Sequence, residues 1–404
     1  MRVVFLCTSS LDYPSPRGRW LPLARELVRA GHEPYLVMLH PTFDRAVVRS
    51  LTIDGVHCVY AGQMHVYGLP GVRRHFGAAE LAAVSLRGAL ALAHAAVRLR
   101  PDAVHVAKPQ PINGLAGLLA ARAGATLYVD CDDYEAGANR FGGAWQQRVV
   151  ALWEDRLPLL AHGVSVNTRF LYQRYRDLGV APHRLQYVPN GVDLERQRPP
   201  CRARVTALRA ALGLTGRPAI VYLGVMSAVA HGVRLLLDTV ALLRPRLPEV
   251  RLLMVGDGDD RPALMEHAAR LGLADAVVWA GRVPPAATPA YLACGDCSVD
   301  PVEDTPAAAA RSPLKIVESL AAGVPVVTGD VGDRREVLGE IAGIIVRPGD
   351  AGALAEGLAE LLRDSQWRND LAPGAHARAE AYRWDRLAER WKALYTGVAR
   401  LAAG

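Results

Sequence analysis

Short apolar runs alternate with helix-length segments from residue 3 onward, and the alternation starts afresh near residue 219. Val3 to Cys7 is the first run. The loop Thr8 to Arg19, a helix from about Leu21 to Ala30 and a stop at Gly31-His32 follow, and then a strand from Pro34 to Leu39. Ala103 to Val106, Thr126 to Asp130, Val164 to Asn167 and Leu185 to Val188 continue the scheme, with a helix around Gly114 to Ala123. The second series is Ala219 to Leu223, a helix Gly232 to Leu243, Arg251 to Val255, Ala276 to Trp279, Cys297 to Pro301 and Val324 to Thr328. Strands that are apolar throughout belong to parallel sheets covered on both faces. The expected fold is therefore α/β, with two doubly wound Rossmann-like domains facing a central cleft, and 404 residues suit two domains. Pro189-Asn-Gly-Val-Asp193 and the proline- and arginine-rich piece Arg196 to Arg204 mark the linker. Ligands of such sheets bind beyond the carboxyl ends of the strands.

The segment Ser312-Pro-Leu-Lys-Ile-Val-Glu318-Ser-Leu-Ala-Ala-Gly323-Val-Pro-Val-Val327 carries the clearest chemistry. It reads as a helix with Ser312 at its N-cap, Pro313 at its first position and Gly323 after its last, leading into a buried strand. Amides at a helix start hold anions, and Lys315 adds a charge in the first turn. Glu318 lies one turn on, within reach of a hydroxyl of the same ligand. A phosphate cradle, a lysine and a carboxylate within seven residues suit a sugar nucleotide. An ordinary capped helix feeding a core strand explains the same pattern. Lysine is otherwise scarce, with Lys108 and Lys392 the only others among abundant arginines.

Composition narrows the classes. A net charge of +7 with no interleaved aromatic and basic array leaves nucleic acid outside the expected partners. Six cysteines include Cys294-Gly-Asp-Cys297, but no second pair follows at zinc spacing, so no metal is expected. Met1-Arg2 enters a strand without a leader pattern, which predicts a cytoplasmic chain with reduced thiols. Gly77 to Arg100 is apolar but broken by Glu80, Arg87 and His94, seven apart, and reads as a surface helix rather than a membrane span.

Val188-Pro-Asn-Gly-Val-Asp193, Val255-Gly-Asp-Gly258, Gly281-Arg-Val-Pro284, the Ser312 to Val327 block and Tyr382-Arg-Trp-Asp385 occur in a set order. That order and spacing resemble the GT-B glycosyltransferases of family 4 over nearly the whole chain. The resemblance implies an acceptor-side domain at 1–195, a nucleotide-sugar domain at 205–380 and a last helix at 381–404 crossing back to the first domain. It implies transfer of a hexosyl group from a nucleotide diphosphate, UDP- or GDP-linked, to a hydroxyl with retention of configuration. No cofactor or essential metal is implied. Glu318 matches the second glutamate of the family's E-x7-E motif, which holds the donor ribose in relatives. Ser312, Pro313, Leu314 and Lys315 match the loop at the diphosphate and sugar, and Val283 falls where relatives bracket the base.

The sequence also departs from that pattern. Ala310 stands where the first glutamate belongs, after Glu303-Asp-Thr-Pro-Ala-Ala-Ala-Ala310, which reads as a flexible loop followed by Arg311. In Gly224-Val-Met-Ser-Ala-Val-Ala-His-Gly232, Val225 replaces the expected arginine and His231 the expected lysine, with Ser227 between them. His231 offers a hydrogen bond if neutral and a charge if protonated. Lys315, Arg311 and His231 are the expected compensation. Around Gly18, Arg17 and Arg19 either approach a diphosphate or anionic acceptor, or lie solvated. Asp132 and Asp133 occupy the places of a histidine and an aspartate near the reacting sugar in relatives, and are expected, with Lys315, to carry the chemistry. The stretch Tyr67 to Phe76, including Leu69, Arg73 and Arg74, offers weak peripheral contact with the inner face of a membrane, or a solvated basic loop. A degenerate nucleotide-sugar-binding partner and, behind it, a GT-B sugar-nucleotide epimerase are the alternative readings.

Overall fold

A computed structural model of the chain describes residues 1–13, 15–68, 74–139, 141–227 and 231–402, with side chains to residue 395. Residues 69–73 and 228–230 lie outside the described residues, and so do Leu69 and Arg73 of the basic loop and the middle of the Gly224 to Gly232 segment. The chain divides into two compact units, residues 1–191 with 384 onward, and Val192–Arg383.

The first unit is built on an eight-stranded sheet. Its strands are β1 (Arg2–Cys7), β2 (Glu33–His40), β3 (Ser50–Ile53), β4 (Val56–Gln63), β7 (Ala103–Ala107), β8 (Thr126–Cys131), β9 (Gly163–Val166) and β10 (Leu185–Tyr187). A separate two-stranded ribbon joins β5 (Val66–Tyr67) to β6 (Arg74–His75). The sheet order is β10-β9-β8-β7-β1-β2-β4-β3, parallel except between β3 and β4. Those two form a hairpin through Asp54 and Gly55, whose φ values of 48° and 82° make the mirror-image turn that matches strand twist. Residues 3–7 and 103–107 are wholly buried, because helices cover both faces of the central strands.

The helix Trp384–Ala402 closes this unit's core, placing Trp384, Leu387, Trp391 and Leu394 against Phe5, Trp20 and Leu36. His105 lies inside it, stacked 5.0 Å from the Phe5 ring and 4.8 Å from the Tyr128 ring, with Tyr395 Oη 2.8 Å from its Nε2. Burial pulls its pKa down to about 3 and keeps it neutral.

The loop before the first helix differs from expectation. Arg19 is not at the surface: its side chain is 2% exposed and forks onto Asp130, with both N–H···O distances 2.7 Å. Asp130 also accepts from Trp20 Nε1 and Ser165 Oγ at 2.7 Å, while Arg19 donates to the Val188 carbonyl and Asn190 Oδ1. A π-type turn over Pro16–Trp20, containing Gly18, turns Arg19 inward. Arg17 remains exposed on that turn and donates to the Leu11 carbonyl.

The second unit has a six-stranded parallel sheet, β11 (Ala219–Leu223), β12 (Arg251–Val255), β13 (Val277–Gly281), β14 (Cys297–Asp300), β15 (Val326–Gly329) and β16 (Gly343–Val346). Its order is β13-β12-β11-β14-β15-β16, a doubly wound sheet that reverses between β11 and β14. The unit starts at Val192, earlier than the proline-rich stretch suggested, because the Val192 amide donates to the Tyr382 carbonyl at 2.8 Å and bridges to Arg383.

Breaking a buried, fully hydrogen-bonded ion pair strands its partner in low dielectric and costs on the order of 3–5 kcal/mol. Arg19→Met is therefore expected to lower the urea midpoint of the first unit's transition strongly. A midpoint equal to the parent's contradicts this account of the pair.

Candidate functional site

The sheet of the second unit reverses between β11 and β14, and the loops beyond those strands hold its charged cluster. At the end of β14 the carboxylate of Asp300, 5% exposed, meets Arg334 Nε at 2.8 Å and Lys315 Nζ at 3.8 Å. Arg334 is equally buried and also donates to the carbonyls of Ala308 and Val331. Lys315 lies 4.5 Å above the Tyr222 ring and donates to its hydroxyl at 3.1 Å, and that hydroxyl donates to the Val225 carbonyl at 2.9 Å. Arg311 brings Nη1 to 3.4 Å from His231 Nδ1.

Backbone close approach shapes the same corner. A Cβ on Gly256, φ 134°, would sit 1.9 Å from the Gly224 carbonyl oxygen, so the loops after β11 and β12 touch only because glycine stands there.

Electrostatics follow from that crowding. Burial, helped by the cations of Arg311 and Arg334, brings Lys315 down to about 8 against the pull of Asp300. Burial raises Glu318 to about 7 although Lys315 opposes it, and Gln197 Nε2 approaches Glu318 at 3.5 Å. His231 is held neutral, first by burial and then by Lys315, Arg311 and Arg334, which favours the hydrogen-bonding one of its two expected modes. The cluster thus gathers three cations against Asp300 and Glu318, an arrangement receptive to a polyanion.

Two local expectations are corrected. The helix runs Leu314–Ala321 with Pro313 at its cap position and no side-chain cap bond, so Ser312 is a buried residue before the helix rather than its cap. Gly323 does end it as read: at φ 71° its N–H reaches the Leu320 carbonyl and that of Val324 reaches Ser319, a Schellman closure. The stretch before Arg311 is not an open loop. Thr305 Oγ1 accepts from the Ala308 amide, and Pro306–Ala309 forms one helical turn that buries Ala308 and Ala310.

His231, Arg311, Lys315 and Glu318 are thus linked directly or through shared neighbours, with Ser312, Pro313 and Leu314 leading into the helix that bears the last two. Ser227 sits in the loop after β11, its amide donating to the Val225 carbonyl. Val283 follows β13 and packs, half-buried, on the core beneath Leu253 and Val255. Gly18 belongs to the other unit. Asp300, Arg334 and Tyr222 were not foreseen. An aspartate closing an apolar run at a strand end was their one available signal.

In the first unit, β7 and β8 end beside each other in a second charged group. Lys108, at φ 74°, directs Nζ to Glu135 Oε1 at 2.6 Å, Asp132 Oδ1 at 3.3 Å and Asp133 Oδ2 at 3.7 Å. Glu135 also accepts from Gln110 at 2.6 Å and Asn139 at 2.9 Å. Glu154 accepts the amides of Glu135 and Ala136. Burial carries Asp132 up to about 7 despite Lys108, whereas the lysine and these hydrogen bonds hold Glu135 low. Asp132 and Asp133 do come together as read; Lys108 and Glu135 were missed, although a rare lysine directly after an apolar strand was a usable cue.

Comparison with known proteins places these two units. Residues 20–196 match the family described as Glycosyltransferase Family 4, and residues 217–364 match Glycosyl transferases group 1. A GDP-mannose-dependent alpha-(1-6)-phosphatidylinositol monomannoside mannosyltransferase of Mycolicibacterium smegmatis is 30% identical over 289 residues, 70% of this chain and 73% of the relative. A D-inositol 3-phosphate glycosyltransferase of Rhodococcus jostii is 32% identical over 296 residues, 69% of this chain and 59% of the relative. Mycobacterial relatives are matched over about half their length, 54% and 53% in two cases. Among solved structures, the sucrose-phosphate synthase of Thermosynechococcus elongatus superposes with a TM-score of 0.80 at 18% identity, covering 100% of both chains.

The Lys315 environment is directly measurable. Acetylation of Lys315 across pH, followed by mass spectrometry of its peptide, is expected to show a midpoint near 8. Arg311→Gln removes a neighbouring cation and should raise that midpoint. A midpoint at the ordinary lysine value, about 10.4, contradicts the burial account.

Proposed function

This chain belongs to glycosyltransferase family 4, a GT-B enzyme that transfers sugar from a nucleotide donor, and from that premise we propose that its donor is a GDP-hexose, GDP-mannose first. The observation that carries the reading is the Lys315–Arg311–Glu318 group at the switch point of the second unit. Lys315, Arg311 and the amides opening the helix Leu314–Ala321 take the diphosphate, Glu318 takes the ribose hydroxyls, and Val283 borders the base. The M. smegmatis relative's GDP-mannose dependence supports the choice of base and sugar.

In the reaction the acceptor oxygen bonds to the anomeric carbon while that carbon's bond to the diphosphate oxygen breaks. The electron pair leaves on the diphosphate, whose growing charge the cations stabilise without a metal. Asp132, at about 7, is the group suited to take the hydroxyl proton near neutral pH, with Asp133 orienting the acceptor. Transfer proceeds with retention, as in the family.

The acceptor is a sugar or cyclitol hydroxyl, free or lipid-linked, bound by the first unit, and the enzyme works from the cytoplasmic side of a membrane. The helix Ala78–Leu99 supports peripheral contact there. Its Gly88, Leu92 and Ala96 side packs on the protein, while Leu86, Leu90 and Val97 stay exposed beside Arg87 and Arg98. By length and composition this helix could cross a membrane, but its buried stripe fits a surface helix. Leu90→Glu is expected to abolish co-sedimentation with phosphatidylglycerol vesicles. Unchanged sedimentation of that variant removes the helix from the account.

Nucleotide choice is tested by thermal shift with GDP, UDP, ADP and TDP, each with and without EDTA. GDP should stabilise the chain most, EDTA should not matter, and Glu318→Ala should erase most of the shift. A larger shift with UDP overturns the base assignment, and an intact shift in the variant overturns the ribose contact.

A further inference from the structure

Tyr222 is the one polar residue in the apolar run Ala219–Leu223, and it is fully buried among Ile220, Met254 and Val299. A buried phenol must place its hydroxyl in hydrogen bonds. Tyr222 Oη does so twice: it donates to the Val225 carbonyl at 2.9 Å and accepts from Lys315 Nζ at 3.1 Å. Because its proton is committed to the carbonyl, the hydroxyl turns a lone pair to the lysine. The ring is a second hold, with Nζ 4.5 Å from its centroid.

Gly224 supplies the space. A Cβ there, at φ 153°, would stand 2.5 Å from Lys315 Cε, 2.9 Å from Nζ and 3.2 Å from Tyr222 Oη. The end of the lysine therefore lies directly against bare backbone, which only glycine offers. The charged groups around it come from several elements: Asp300 closing β14, Arg334 beyond β15, Arg311 before the helix and Glu318 on the helix itself, with neutral His231 nearby. Burial acts first against the lysine's charge and Asp300 next in its favour; both arginines then oppose it and Glu318 supports it. The Lys315 side chain is still 20% exposed, so an anion can reach it.

We infer that Tyr222 is a positioning residue for nucleotide binding: with Gly224 it forms a slot that fixes where the Lys315 ammonium stands when the diphosphate arrives. A lysine without such a slot samples many rotamers, and ordering it on binding would cost affinity. The inference rests on the reading that Lys315 takes the diphosphate, and it adds the residues that aim the lysine.

Two substitutions move the slot in opposite directions. Tyr222→Phe keeps the ring and removes an acceptor that favours the charged lysine, so the acetylation midpoint of Lys315 is expected to fall below about 8. Gly224→Ala fills the slot and turns the ammonium out to solvent, so the midpoint should rise toward the ordinary value, about 10.4. Isothermal titration with GDP should show weaker binding in both variants, on the order of tenfold, the effect of one hydrogen bond to a charged group. A general loosening of the site would instead raise the midpoint in both. A midpoint that does not fall in Tyr222→Phe or does not rise in Gly224→Ala, or an unchanged GDP affinity in either, overturns the inference. If GDP fails to bind the parent chain, the donor reading fails, while the two midpoints still decide whether the slot holds the lysine.

Discussion

Burying an ionised side chain is costly unless it is paired and hydrogen-bonded, and both units meet that constraint in the same way at the carboxyl ends of their parallel strands. Each places an aspartate in the last two residues of a strand and clasps it with a buried arginine, Asp130 by Arg19 and Asp300 by Arg334. Each then sets a lysine against the cluster, Lys108 in one and Lys315 in the other. The arginine pairs neutralise the strand-end aspartates. Among the described residues, cations then outnumber carboxylates around Lys315, and carboxylates outnumber cations around Lys108.

Much of the fold was legible because it is local. Apolar runs bounded by glycine and proline gave strands close to those observed, and Gly323 could be read as a helix end from its position alone. The hairpin Ser50–Gln63 and the strand Gly343–Val346 were not anticipated. Asp54-Gly55 was the available signal for the hairpin, but its strands alternate with polar residues unlike the apolar runs around them. Glu318 and Lys315 were legible because they share one turn of helix. What could not be read were pairings between distant residues. Arg19 and Asp130 are 111 positions apart and Arg334 and Asp300 are 34 apart, and an arginine in an arginine-rich chain gives no hint that it is buried.

Ala310, where the resemblance led to the expectation of a glutamate, is fully buried, and Val225, where an arginine was expected, offers its carbonyl to the Tyr222 hydroxyl. Arg311 and Arg334 add positive charge to the same neighbourhood. Burial first, and then those cations, depress Lys315 and hold His231 neutral. A polyanion placed here would relieve repulsion among these groups.

Hydrogen–deuterium exchange with and without GDP-mannose measures directly where a nucleotide sugar lands. The account predicts slowed exchange at residues 224–227 and 312–318, with the Asp300 strand end following. Protection confined to other segments, or none at saturating donor, would contradict it.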